Sequence, residues 1–283
     1  MSDAQSFYLL LAAFYLYECL IFAPRGAWAF VGQGGTKWRW RIPVFHLSGL
    51  HQEAFCAPIL PYPGFQVVFP APPDALPAPT ALHSFRRDSL RIDKATRHLR
   101  FCSLLIFLHY FLLLPITYHH WVGTPIMIAV IIQGELLAFY TAFSFHRLHK
   151  RLHPDDKWER RLETLYNAFL PWHAMRASDL IIKKGCATWH PLAALVSHPN
   201  SPANQKQLAL LWRRALYEGQ SDSLQTFLEK AGIDPTPWSL PPPLDEPSNK
   251  YCPVCQAVYE KEASTCADCT GVALKRGTDQ SVS

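Results

Sequence analysis

The sequence predicts a mainly α membrane protein with three transmembrane helices, a small β-rich membrane-proximal module, a helical cytoplasmic domain and a short cysteine-bearing module near its end. Three observations predict it. Stretches almost free of charge alternate with a polar, Pro-punctuated remainder; Lys and Arg collect on one side of each apolar stretch; and four of the cysteines stand in two Cys-x-x-Cys pairs. Of 283 residues, 49% are hydrophobic and only 17% charged, against roughly 25% charged in soluble domains. This balance excludes a disordered chain, a collagen-like chain and a disulfide-dense mini-protein.

Residues 1–24 hold the first expected span, from Phe7 to Ala23, with Glu18 as its one charge. A signal peptide is the competing reading, since Ala27-Trp28-Ala29 has the small-residue pattern of a cleavage site. Met1–Ser6 lacks Lys and Arg, and Glu18 interrupts the apolar run, so the segment reads as an uncleaved anchor. Residues 101–145 hold two further spans: the uncharged Phe101–Tyr118, and Pro125–Phe145 with only Glu135. A spanning helix needs about 20 mostly apolar residues, in a range of roughly 17–25.

The orientation follows from the cations. Pro24–Arg100 carries ten Lys and Arg, and the third span exits into His146-Arg147-Leu148-His149-Lys150-Arg151, whereas Met1–Ser6 and His119–Thr124 carry none. All three helices then agree on an outside N-terminus, a tight outside hairpin and a cytoplasmic C-terminal half in a bacterial inner membrane. Tyr118 and Trp121 at the outer turn, and Trp28 near the inner exit, suit interfacial aromatic belts. The net charge of +5 reads as retention against an anionic leaflet.

Residues 25–80 form the β-rich module. Lys37-Trp38-Arg39-Trp40-Arg41-Ile42 alternates basic and apolar residues like a half-buried strand, with Gln66–Phe69 and Phe55–Leu60 as candidate partners. Gly32, Gly34 and Gly35 mark a turn, not a phosphate loop, because no Lys-Ser/Thr follows. Pro70–Pro79 stops regular structure, and 81–100 reads as a basic amphipathic helix feeding the second span.

Residues 146–234 form the helical domain. Pro154-Asp155-Asp156 opens a helix in which Trp158, Leu162, Leu165, Tyr166 and Phe169 recur at helical spacing before Pro171 ends it. Shorter helices follow over 177–184, 191–197, 204–218 and 222–231. A Pro-rich linker, 235–249, acts as a semi-rigid spacer before the cysteine module at 250–276 and a tail at 277–283.

The module holds the most specific motif: Cys252-Pro253-Val254-Cys255, ten residues, then Cys266-Ala267-Asp268-Cys269. Two such knuckles can place four thiolates around one Zn2+ at about 2.3 Å, a closed structural site. So short a segment cannot fold on an apolar core alone, so the metal supplies the folding energy. Two disulfides, or iron of the rubredoxin kind, are the alternatives. A cytoplasmic placement favours reduced, metal-bound thiols. Lys250–Arg276 resembles a bacterial four-cysteine zinc ribbon, departing from it at Gln256 and Thr270, where glycine is common after each knuckle. The whole chain looks like bacterial inner-membrane proteins of unassigned activity that end in a zinc ribbon, a likeness that implies no activity.

Other candidates are weaker. Glu18 and Glu135, acids within expected spans, form with His109 a possible intramembrane polar site. His146, His149 and His153 fall on one helical face as an interfacial stripe, which His119 and His120, across the membrane, cannot join. Arg176, Asp179 and His190 read as a cap and a salt bridge; Cys19, Cys56, Cys102 and Cys186 read as small apolar fillers.

The expected function is a membrane-anchored, non-enzymatic adaptor or accessory subunit that meets the lipid bilayer and a protein partner on the cytoplasmic face. The ribbon's Lys250, Lys261, Lys275 and Arg276 are balanced by Glu260, Glu262 and Asp268, which favours a protein over nucleic acid. The alternative is a membrane enzyme or ion-coupled transport component using Glu18 and Glu135 with nearby histidines. So thin a bundle would then work as an oligomer.

Overall fold

The computed structural model describes residues 3–33, 37–47, 51–62, 64–69, 76–77, 80–120, 124–186, 189–244, 249–260 and 262–276. The described residues are mostly helical, with three small antiparallel sheets among them. Trp121, Gly34, Gly35, Lys261, residues 277–283 and most of the Pro70–Pro79 strip lie outside the described residues.

Among the described residues two helices are long and apolar enough to cross a membrane, not three. The first expected span is helical only over α1 (Asp3–Glu18), 16 residues. At about 1.5 Å per residue this reaches about 24 Å, short of a hydrocarbon layer of about 30 Å. The chain then turns at Cys19, and Leu20–Pro24 becomes strand β1. It becomes a strand because a partner strand, β5 (Gln52–Cys56), pairs with it from Leu20↔Cys56 to Pro24↔Gln52. Tertiary pairing thus overrides an apolar run that by composition alone continues the helix.

The remaining strands complete two sheets. β4 (Phe45–Leu47) joins β5 to give the order β1-β5-β4; β2 (Trp28–Gln33), β3 (Lys37–Arg41) and β6 (Gly64–Phe69) give β3-β2-β6. The alternation in β3 has its expected consequence: Lys37, Arg39 and Arg41 are exposed and Trp38 is buried. Its partner is β2, however, and the turn glycine Gly32 is a strand residue opposite Phe65. A Cβ on Gly32 would stand 2.7 Å from the Phe65 ring, so the close approach of these strands requires a residue without one.

α2 (Thr80–Leu108) carries its basic half along this sheet and its apolar half beyond Arg100. It continues through a π-helical turn, His109–Leu113, into α3 (Leu114–His119). Pro115 explains the widening: it lacks the N–H that would bond the Phe111 carbonyl, and its ring crowds that oxygen. Where α2 leaves its basic half, Arg100 is ion-paired with Asp93, both almost fully buried, and its guanidinium lies 5.1 Å from the Phe65 ring centroid.

α4 (Thr124–Leu152) returns antiparallel to α2. It turns Ala138, Thr141, Ala142 and Phe145 inward and leaves Ile128, Ile132, Leu136, Phe139 and Phe143 exposed. α5 (Lys157–Phe169) folds back along α4: the Phe139 and Phe169 rings lie 5.7 Å apart, and His146 Nδ1 is 3.2 Å from Thr164 Oγ1. Its apolar stripe is not a core stripe. Trp158, Leu165, Tyr166 and Phe169 face outward, while Arg160, Asn167 and Ala168 are buried against the protein.

The chain continues through α6 (Pro171–Ala174), α7 (Ala177–Cys186), α8 (Pro191–Ser197), α9 (Pro202–Tyr217) and α10 (Ser221–Lys230). The largest core joins these helices to the β3-β2-β6 sheet. Trp38 meets Phe65, Phe85 and Trp189 edge-on, at centroid distances of 5.4, 5.4 and 5.7 Å. Buried Asn204 of α9 acts on the open edge of β3 as a further strand would. Its Oδ1 accepts from the Trp40 N–H at 2.8 Å, and its Nδ2 donates to the Trp38 carbonyl at 2.7 Å.

Candidate metal centre

The four cysteines of the two knuckles converge. Their sulfurs lie within 4.8 Å of one another, and among the described residues they are the one group of His, Cys, Asp or Glu arranged to hold a metal ion. A tetrahedron with metal–sulfur bonds of about 2.3 Å has sulfur–sulfur edges of about 3.8 Å; Cys255 Sγ and Cys266 Sγ are 3.6 Å apart. A donor set this close suits a four-coordinate ion.

Local structure explains the convergence. β7 (Lys250–Tyr251), β8 (Val258–Tyr259) and β9 (Lys275–Arg276) form a sheet in the order β8-β7-β9, and a Thr265↔Ala273 bridge closes the second loop. In each knuckle the last cysteine's N–H points at the first one's sulfur: Cys255 N to Cys252 Sγ at 3.5 Å, and Cys269 N to Cys266 Sγ at 3.2 Å. Amides aimed at sulfur favour the thiolate. Burial raises the Cys266 thiol, but the Tyr259 hydroxyl at 3.2 Å and the neighbouring amides hold it below the ordinary range. Cys252 and Cys266 are buried, and Cys255 and Cys269 are half-buried.

The two departures from the ribbon pattern have different outcomes. Gln256 adopts φ +63°, the left-handed conformation that glycine would adopt without a Cβ penalty. The second knuckle meets the same need one residue later than Thr270, at Gly271 with φ +77°.

The module is docked on the helical domain rather than held by the linker alone. Leu210 of α9 packs into the cluster of Cys252, Val254, Cys266 and Val272. Arg213 Nε donates to the Val254 carbonyl at 2.7 Å, and the Ala273 N–H donates to the Tyr217 hydroxyl at 3.3 Å. Leu210, Arg213 and Tyr217 share one face of α9 by their spacing. On the linker side, Gln256 Nε2 donates to the Leu240 carbonyl at 2.6 Å.

The other candidate groups are distributed differently from their sequence grouping. Glu135 accepts from the Tyr110 hydroxyl at 3.0 Å. His109 is buried beside it, and its Nε2 has no hydrogen-bond partner. A Cβ on Gly134 would stand 2.6 Å from that nitrogen, so glycine makes room for the ring. Glu18 belongs to another cluster, at the C-terminal end of α1. His173 lies between its carboxylate, 3.3 Å from Nδ1, and that of Glu163, 2.7 Å from Nε2. Burial lowers the His173 pKa, but the bonds to Glu163 and Glu18 outweigh it and raise the pKa to about 9. No local spacing links residues 18, 163 and 173, so sequence reasoning missed this cluster.

The histidine stripe is divided along its length. His146 contacts Thr164; His149 is fully buried, its ring 5.4 Å from that of His153 and its Nε2 3.7 Å from Asp156. His119 and His120 contact each other at the far end of α3. Arg176 is ion-paired with Asp179, while His190 caps α8 by accepting from the Leu192 N–H at 3.1 Å.

No family model, no curated protein and no solved structure matches the chain.

Proposed function

We propose that this protein is a bacterial inner-membrane adaptor or accessory subunit: two apolar helices anchor it, and a zinc ribbon held on its helical domain offers a protein partner a shaped surface. The convergence of Cys252, Cys255, Cys266 and Cys269 carries this reading. Four thiolates with no fifth, open position suit zinc in a structural role, in which the ion shapes the fold and performs no chemistry on a substrate. The surface charges on the ribbon are of both signs, which fits a protein interface better than a phosphate backbone. With two crossings the N-terminal module and the helical domain share one side, and the cations that flank both apolar helices favour the cytoplasm for that side.

The test is affinity capture from detergent-solubilised membranes with the natural chain and with Cys252→Ser/Cys255→Ser. The expected result is one zinc per natural chain, and a partner that the variant loses while remaining in the membrane fraction. Identical partner lists would contradict the proposal.

A second reading, an ion-coupled component, rests on one observation: buried His109 with an unpartnered nitrogen beside the Tyr110–Glu135 pair, next to a π-helical turn. Such turns recur at functional sites. Glu18 has no part in it, because His173 engages it. Glu135→Gln discriminates the readings: the ion-coupled one requires proton or cation flux in vesicles that this variant loses, whereas the adaptor needs no flux.

A further inference from the structure

α5 is amphipathic in the inverted sense for a water-exposed helix. Its polar side chains Arg160 and Asn167 are buried against the protein, while Trp158 (71% exposed), Leu165, Tyr166 and Phe169 face out. In water such an arrangement forfeits on the order of 2 kcal/mol for each large apolar side chain, and turning the helix over would recover it. The face is therefore covered by something apolar.

Its position identifies the cover. Phe169 meets Phe139 of α4, and Phe139, Tyr140 and Phe143 are themselves outward-facing. On the other side, Trp172 stacks on Phe14 of α1 at 4.9 Å, which is also exposed. The α5 stripe thus continues an apolar belt around three helices at the level where His98 of α2 meets Tyr140 of α4. The uncharged half of α2 begins less than one turn on, at Phe101 after the buried Arg100, so this level is the hydrocarbon boundary on the side of the helical domain. Lys157 and Arg161 of α5, with Arg147, Lys150 and Arg151 of α4, are placed along the helices away from that boundary, where anionic headgroups are.

We infer that α5 is an interfacial helix whose Leu165 and Phe169 contact lipid acyl chains, and that the bilayer surface fixes the helical domain against the membrane. This rests on the membrane anchoring proposed above.

The test uses the full-length chain in its native membranes, with the photoreactive residue p-benzoylphenylalanine introduced singly. The positions are Leu165, Phe169, Ile132 on the outward face of α4, and Leu240, which is 65% exposed beside the ribbon. After irradiation, intact mass is measured. The inference expects a mass gain of one phospholipid at 132, 165 and 169, and none at 240. A lipid adduct at 132 without one at 165 or 169 overturns the inference and leaves the anchoring intact. Cross-links from 165 or 169 to protein in place of lipid overturn it in favour of a second copy or a partner. No lipid adduct even at 132 overturns the anchoring and this inference together.

Discussion

Asn204 lies in a segment whose spacing indicates only a helix, yet its amide serves four backbone groups: Trp40 N–H, and the carbonyls of Trp38, Leu195 and His198. Asn204→Ala leaves several of these buried and unsatisfied, and the expected loss is about 3 kcal/mol, read as a lower denaturant midpoint. A loss below about 1 kcal/mol would mean that the β3 edge does not depend on this side chain. The pairing of cysteines within each knuckle, by contrast, was legible from spacing alone, because Cys-x-x-Cys brings its two sulfurs together within one local turn. Glu18 was legible as an unusual acid, but its partner His173, which also binds Glu163, was not, since only the tertiary fold brings α1 beside α5 and α6.

At the scale of elements, local periodicity named each element type better than its surroundings. The alternation of β3 and the helical spacing of α5 were both readable. Which face of α5 would be covered by protein was not, because a hydrophobic stripe faces inward in water and outward in lipid. The end of α1 was unreadable for a different reason: Leu20–Pro24 is as apolar as the helix before it, and its strand conformation depends on β5, well beyond it in the chain. The Glu18–His173–Glu163 cluster joins α1, α6 and α5 and carries a pH dependence of definite sign. The His173 pKa stands above its ordinary value of 6.5, at about 9. Its contribution is therefore complete below pH 6.5 and is lost as pH rises through about 9. The contribution is on the order of 2 kcal/mol, less than the full shift implies because the ring is partly exposed. Thermal unfolding in detergent should show stability falling between pH 6.5 and 9, and His173→Gln should flatten that fall. An unchanged slope in the variant would remove the cluster as its cause.

For the whole molecule, the sheets, α7–α10 and the cysteine module form one body around the Trp38 core and the α9 docking face, and α1–α6 present the apolar belt. Composition hinted at this division, since a charge content of 17% is low against the roughly 25% of soluble domains. The number of spans could not be counted from composition, because a buried apolar helix and a lipid-facing one have similar sequences. On the proposed reading the two long apolar helices lodge in a bilayer. Membranes carrying the natural chain, washed in alkaline carbonate and sedimented without detergent, test it most directly: the chain should stay in the pellet and leave it only when detergent is added. Recovery of the chain in the carbonate supernatant would contradict the account.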